Sequence, residues 1–126
     1  MAERGLNTQA ELEHFLDCFN RQDVDGIMEY FVDEGVFQTP AGPNADGNAV
    51  QGKAAVHAYF TKMFADMPDM HFGQDRHWAM GDFAVSEWLL TGTRQDGTRL
   101  ETWGTDHFHL RDGRIVLKNT YLKLVR

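Results

Sequence analysis

Serine is almost absent from this chain: Ser86 is the only one among 126 residues. No Gly-x-Ser-x-Gly elbow surrounds it, which argues against a serine-hydrolase triad. Cysteine is as scarce. Cys18 stands alone, which excludes an internal disulfide framework and cysteine zinc clusters. It falls on an expected helix beside Phe15 and Phe19, where a small core residue fits. Basic residues are outnumbered, 12 Lys and Arg against 19 Asp and Glu, for a net charge of -7. A nucleic-acid partner would need the opposite balance. No apolar run is long enough to span a bilayer. The first residues, Met1-Ala2-Glu3-Arg4-Gly5, lack the apolar stretch of a signal peptide. A cytoplasmic protein with no nucleic-acid and no membrane partner is expected. The glycines from Gly42 to Gly52 are not followed by the Lys-Ser/Thr of a phosphate loop.

What is present suits one domain over residues 1–126, with 42% apolar and 25% charged residues and no repeat or linker. Thr8-Gln9-Ala10-Glu11 reads as a capping box. Leu12, Phe15, Leu16 and Phe19 follow at helical spacing, so the first helix spans about residues 8 to 21. Asp23 caps a shorter helix that buries Ile27 with Tyr30 or Phe31 and is broken by Gly35. Val36-Phe37-Gln38-Thr39 reads as a short strand ended by Pro40. Pro40 to Gly52 reads as a long loop, either a lid or a surface excursion. A third helix presents Val56, Tyr59, Phe60, Met63 and Phe64 and stops before Pro68. Beyond Met70, Gly81-Asp82, Asp96-Gly97 and Asp112-Gly113 separate four strands, about residues 71–80, 83–94, 99–110 and 114–124. Helices followed by an antiparallel meander make an α+β fold, with the helices on one face of a curved sheet.

The stretch from Trp103 to Ile115 raises the chemical question. In a strand, Asp106 shares a face with Phe108 and Leu110. A carboxylate on an apolar face is costly unless it is paired, protonated or employed. Two-residue hairpin loops would set Arg76, Glu87, Asp106 and Asn119 in one row, on the face that carries Trp78, Leu89, Phe108 and Leu117. Glu87 and the apolar surroundings would then push Asp106 toward keeping its proton, as a general acid or a donor to a carbonyl or enolate oxygen. X-Asp-Gly turns also form three-residue loops, and a one-residue slip moves every partner to the other face. A three-residue loop at Arg111-Asp112-Gly113 would put Lys118, not Asn119, beside Asp106, with an ionised carboxylate. A satisfied structural network around Asp106 stands as the plainer alternative.

The six histidines do not suggest a metal. His107 and His109 share the face opposite Asp106, with no third ligand placed by spacing. His71 and His77 read as partly exposed strand residues, and His14 and His57 as helix residues without an identified partner. Under the two-residue reading Trp88, Leu90 and Trp103 face outward, as a candidate dimer interface. Phe15, Phe31, Phe60, Trp78 and Leu89 are core residues, some of which line an apolar pocket.

Several stretches resemble a known family. They are Phe31-Val32-Asp33-Glu34-Gly35-Val36-Phe37 with Pro40, Gly52 with Ala54, Ala55 and Phe60, Gly81-Asp82, Trp88 and Thr91-Gly92-Thr93. To these add Gly104-Thr105-Asp106-His107-Phe108 and Asp112-Gly113-Arg114-Ile115. Together they resemble the SnoaL-like polyketide cyclases, within the wider superfamily of nuclear transport factor 2 and the steroid Δ-isomerases. The resemblance implies a cone-shaped α+β barrel, cystatin-like, usually dimeric. It matches Asp106 both to the acid/base aspartate of the cyclases and to the oxyanion-hole aspartate of the isomerases. The isomerases' proton-shuttling aspartate falls on Thr39 and their tyrosine on Phe15. The cyclases' histidine after Gly-Thr is Arg94. The pocket face of the last strand matches Lys118, Thr120 and Leu122, which favours Lys118 over Asn119.

The expectation is a small cofactor-free enzyme of isomerase, cyclase or dehydratase type, acting on a hydrophobic carbonyl or cyclic molecule. Asp106, Glu87 and Lys118 are the catalytic candidates. Phe15, Phe31, Thr39, Tyr59, Phe60, Trp78, Leu89 and Asn119 are the substrate-binding candidates, and a homodimer is expected. A non-catalytic binding or dimerisation module of the same fold is the alternative.

Overall fold

The computed structural model describes residues 4–126. The reading of the first residues therefore rests partly on Met1, Ala2 and Glu3, which lie outside the described residues. Helix α1 is Gln9–Asn20, and Thr8 Oγ1 accepts from the Glu11 amide at 3.1 Å. The Glu11 carboxylate reaches back to the Thr8 hydroxyl and the Asn7 amide. Free donors of the first turn are thus satisfied from both sides. The buried face of α1 is Leu12, Phe15, Leu16 and Phe19, with Cys18 beside them. Helix α2, Val24–Met28, is capped by Asp23.

Two expectations about the next segment need correction. Strand β1 runs Phe31–Gln38, five residues earlier than the expected start at Val36, and Gly35 lies within it. The parallel partner strand explains this. Phe31 pairs with Ile115 and Val36 with Leu117, and the intervening residues bulge out. A Cβ on Gly35 would come within 2.9 Å of the Phe31 ring and 3.0 Å of the Val32 carbonyl, so glycine fits that bend. Within the expected loop, Ala49–Gln51 forms a short strand, β2, against Val36–Gln38. Helix α3, Lys53–Asp66, begins after Gly52 and buries Val56, Phe60 and Phe64.

Strands β3 (His71–Met80), β4 (Phe83–Thr93), β5 (Arg99–Arg111) and β6 (Arg114–Leu122) complete one sheet in the order β2-β1-β6-β5-β4-β3. Every pairing is antiparallel except β1 with β6. Bulges in β1, β3 and β6 bend the sheet toward the helices. It stays open, with β2 and β3 as edges, so the expected barrel is a curved, unclosed sheet. The concave face packs against Phe15, Phe19, Phe60 and Phe64 from the helices.

Hairpin registers decide which side chains meet. Gly81-Asp82 is a two-residue loop, since Met80 pairs with Phe83. The middle hairpin is not. Thr93 pairs with Arg99, and the Gly97 amide donates to the Arg94 carbonyl. This is the three-residue loop Gln95-Asp96-Gly97, with Gly97 at a φ of 87°. The last hairpin keeps its two-residue loop, Asp112-Gly113, with both residues at positive φ. One residue on, β6 gains an extra residue: Leu110 pairs with Ile115 but His109 with Leu117, so Val116 is unmatched. Both slips displace the expected neighbours of Asp106.

Candidate active site in the concave face

The expected row Arg76–Glu87–Asp106–Asn119 does not form. Asp106 pairs with Ser86 on one side and Thr120 on the other, and Ser86 pairs with His77. The inward row is therefore His77–Ser86–Asp106–Thr120, and all four are buried. Arg76 and Glu87 do pair, at 2.7 Å, but on the outer face. Asn119 is also outside and donates to the Tyr121 hydroxyl. Trp78 is 43% exposed on the outer face, and Leu89 shares that side. These four candidates, Glu87, Trp78, Leu89 and Asn119, lie away from the Asp106 site. Trp88 and Leu90, expected outside, are inside and 1% and 5% exposed.

Asp106 is 3% exposed and meets three donors. Its Oδ1 accepts from Lys118 Nζ at 2.9 Å and from Thr120 Oγ1 at 2.6 Å. Its Oδ2 accepts from Trp88 Nε1 at 3.0 Å. Indole and ammonium groups can only donate, so Asp106 is read as an acceptor carboxylate. The expectation of a retained proton rested on Glu87 as the neighbour, and the slipped register removes that neighbour. Lys118 is opposite Phe108, diagonal to Asp106, and its Nζ reaches the carboxylate along that diagonal. Lys118 Nζ also donates to Thr120 Oγ1 at 3.0 Å. A buried charge pair of this kind is tolerated only when its remaining lone pairs and protons are met.

Lys118 is 4% exposed, and its ammonium lies over three rings. The centroids of Phe37, Phe19 and Phe60 are 4.7, 5.0 and 5.6 Å away, distances at which ring faces attract a cation. The same rings bound a cavity of about 210 Å³ between α3 and the concave face. Tyr59, Phe72, Trp88, Thr120 and Leu122 share its wall, and Lys118 is the one charged side chain among the described residues that line it. Burial pushes the Tyr59 phenol up from its usual value. Asp106 lies behind Lys118, Thr120 and Trp88 and is not part of the wall.

Of the expected lining residues, Tyr59 and Phe60 do line the cavity. Phe15 is instead packed edge-on against Phe19, Tyr30 and Phe108. Phe31 is fully buried against Phe60. Thr39 ties the following loop, accepting from the Asn48 amide and donating to the Ala41 carbonyl. Trp88 and Thr120 were not recognised as partners of Asp106. A signal for Trp88 did exist. It pairs with Gly104, where an added Cβ would come within 2.5 Å of the indole, and such a large–small pair marks the inward position.

His77, expected to be partly exposed, is 5% exposed. Its Nδ1 lies 2.7 Å from Ser86 Oγ and its Nε2 2.6 Å from an Asp75 oxygen. The order resembles a nucleophile relay. Ser86 is only 2% exposed and lines none of the cavities described here, so the chain braces edge strand β3. Among the described residues no three His, Cys, Asp or Glu side chains come together as a metal group. No described helix is long and apolar enough to cross a membrane.

The curved sheet over helices is the fold of solved structures described as nuclear transport factor 2-like and cystatin-like. Residues 12–118 match the model of the SnoaL-like domain, and the chain belongs to that family. Among curated proteins nothing matches. Solved structures with the same fold include a proposed polyketide cyclase from Silicibacter sp. tm1040, with a TM-score of 0.81 and 21% identity over 98% of this chain and 93% of that one. A proposed isomerase from Bacillus subtilis gives 0.74 and 22% over 89% and 83%. A protein of ketosteroid isomerase-like fold from Catenulispora acidiphila DSM 44928, solved with trimethylamine, gives 0.75 and 14% over 90% and 85%. At these identities the likeness establishes the fold alone.

Proposed function

We propose that this chain is a small cofactor-free enzyme that activates a hydrophobic carbonyl compound, with Lys118 holding the carbonyl oxygen. One observation carries this reading: a buried ammonium is the one charged group among the described residues on the wall of an apolar cavity. Two of its three protons go to Asp106 and Thr120, which leaves one for a ligand. Enolisation moves negative charge onto the carbonyl oxygen. A fixed ammonium between apolar walls stabilises that charge more than the neutral ketone, which lowers the barrier. Asp106 orients Lys118 rather than touching the substrate, so it is a positioning residue.

No carboxylate or imidazole is among the described residues lining the cavity. The α-proton therefore passes to water, and the reaction favours substrates whose α-carbon is already acidic, such as one between two carbonyls. Isomerisation, cyclisation and dehydration can all start from the enolate. The cyclase and isomerase names of two structural relatives support these reaction classes. The test is α-proton exchange of ethyl 2-methylacetoacetate in D2O, followed by proton NMR. Acceleration over buffer that disappears in Lys118→Met and falls in Asp106→Asn, with circular dichroism unchanged, supports the proposal. Exchange equal in wild type and Lys118→Met contradicts it. Binding without exchange would mark a binding module.

The outer face favours a second proposal, a homodimer across the sheet. Trp78, Trp103 and Tyr121 are 43%, 41% and 53% exposed there, and Trp103 and Tyr121 border a depression of about 220 Å³. Isolated monomers rarely leave a contiguous aromatic patch such as Trp103 with Tyr121 in water. A dimer by sedimentation at micromolar concentration, converted to monomer by Trp103→Asp, is the expected result. A wild-type monomer contradicts it.

A further inference from the structure

The cavity has an outer room. A groove of about 440 Å³ lies between α3 and the middle hairpin, and it shares Tyr59, Met63 and Met70 with the inner cavity. Its rim differs in charge from the interior. Lys62, Asp66 and Arg94 border it. Lys62 and Asp66 are paired at 2.6 Å. Arg94 has no carboxylate partner in the groove. Its Nη1 is turned to neutral acceptors, Thr98 Oγ1 at 3.2 Å and the Arg99 carbonyl at 3.0 Å. The rim therefore carries one more positive than negative side chain, with Asp96 of the hairpin turn acting on Arg94 from outside the groove, on a chain whose net charge is -7.

Inside, the balance is the reverse. The Lys118 charge is met by Asp106 at 2.9 Å, so the inner end is neutral overall. A carboxylate placed there would bring two charged oxygens to the one proton that Lys118 has left. A neutral oxygen that needs one hydrogen bond meets no such penalty.

We infer that the ligand is an amphipathic keto acid: its ketone lies at Lys118, its apolar chain passes Tyr59 and Met63, and its carboxylate lies at the rim on Arg94. This rests on the carbonyl-binding reading above and extends it to substrate class and orientation. A guanidinium suits the outer role, because its planar donors match a carboxylate.

The experiment is calorimetric titration with 7-oxooctanoate and with 2-octanone, which share a chain and a methyl ketone but differ in the carboxylate. The expected result is tighter binding of the keto acid, by about fivefold at low salt, the scale of one exposed charge contact. Arg94→Gln should bring the keto acid down to the neutral ketone. Raising the salt should do the same in the unmodified protein, a check that does not depend on how the variant folds. Lys118→Met should weaken both ligands together. Equal binding of the two ligands, with 2-octanone bound, overturns the keto-acid assignment and leaves the carbonyl reading standing. A keto-acid preference lost in Lys118→Met but kept in Arg94→Gln overturns the orientation. No binding of either ligand overturns both.

Discussion

Each face of the sheet carries a carboxylate paired with a cation at neighbouring positions, and the two faces use their pairs differently. On the convex face, Arg76 and Glu87 form an ion pair whose side chains are 67% and 31% exposed. On the concave face, one position over, Lys118 and Asp106 form one whose side chains are each 5% exposed. Water can replace either partner outside. Inside, each group depends on its fixed neighbours, because an unpaired buried charge has no solvent to turn to. The concave cluster is thus stiff and costly, as a site that must hold one oxygen in one place requires.

The largest effect that would sharpen the contrast is Asp106→Ala. It leaves the Lys118 ammonium buried beside Thr120 alone, and should cost about 3–5 kcal/mol in urea unfolding. Glu87→Ala, the convex counterpart, should cost no more than about 1 kcal/mol. Equal losses would break the comparison. Next comes the double variant Asp106→Leu/Lys118→Met. Replacing both charges with apolar groups removes the unpaired ion, so it should be more stable than Asp106→Ala by about 2 kcal/mol or more. Simple additivity would mean the pair is not coupled.

Gly104→Ala tests the packing behind the pair. Its Cβ would come within 2.5 Å of the Trp88 ring and 2.6 Å of Leu122. A loss of about 1–3 kcal/mol is expected from overpacking. Its neighbour Thr105→Ala, facing the other way, should stay within about 0.5 kcal/mol. The smallest effect lies at the rim of the sheet. Hydrogen bonds from the Thr93 hydroxyl and amide, 2.7 and 2.9 Å, hold the Asp69 carboxyl below its usual range. A lowered folded value means stabilisation that is present above the unfolded value of 3.8 and lost as pH falls through the lower folded value. Asp69→Asn should therefore flatten the acid limb of the stability curve below that point, read by urea unfolding across the acid range.

The elements were legible because they rest on local chemistry. Thr8 and Glu11 cap α1 as their spacing requires, and Gly81-Asp82, Asp96-Gly97 and Asp112-Gly113 do turn the chain. Strand β1 was expected to begin at Val36 because Gly35 reads as the break after the second helix, whereas its early residues are held by a parallel partner more than eighty positions away. Register was the harder quantity. Asp96-Gly97 and Asp112-Gly113 look alike, yet one closes a three-residue loop and the other a two-residue loop. The ambiguity was visible, but it fell on the middle hairpin rather than the last. The extra residue in β6 lies in Ile115-Val116-Leu117, where an unbroken apolar run hides a bulge. Asp106 could be placed inward from Phe108 and Leu110 alone. Its partners could not, since each depends on a register. Lys118 came from the resemblance of the last strand, and Trp88 was hidden until Gly104 was seen across from it.

The central claim is that the third proton of Lys118 holds a carbonyl oxygen. Carbon-13 NMR of carbonyl-labelled 2-octanone bound to the protein tests it directly. A carbonyl resonance moved downfield by several ppm from its position in water, and returning in Lys118→Met, is the expected result. A bound ketone whose resonance is the same in wild type and Lys118→Met would contradict it.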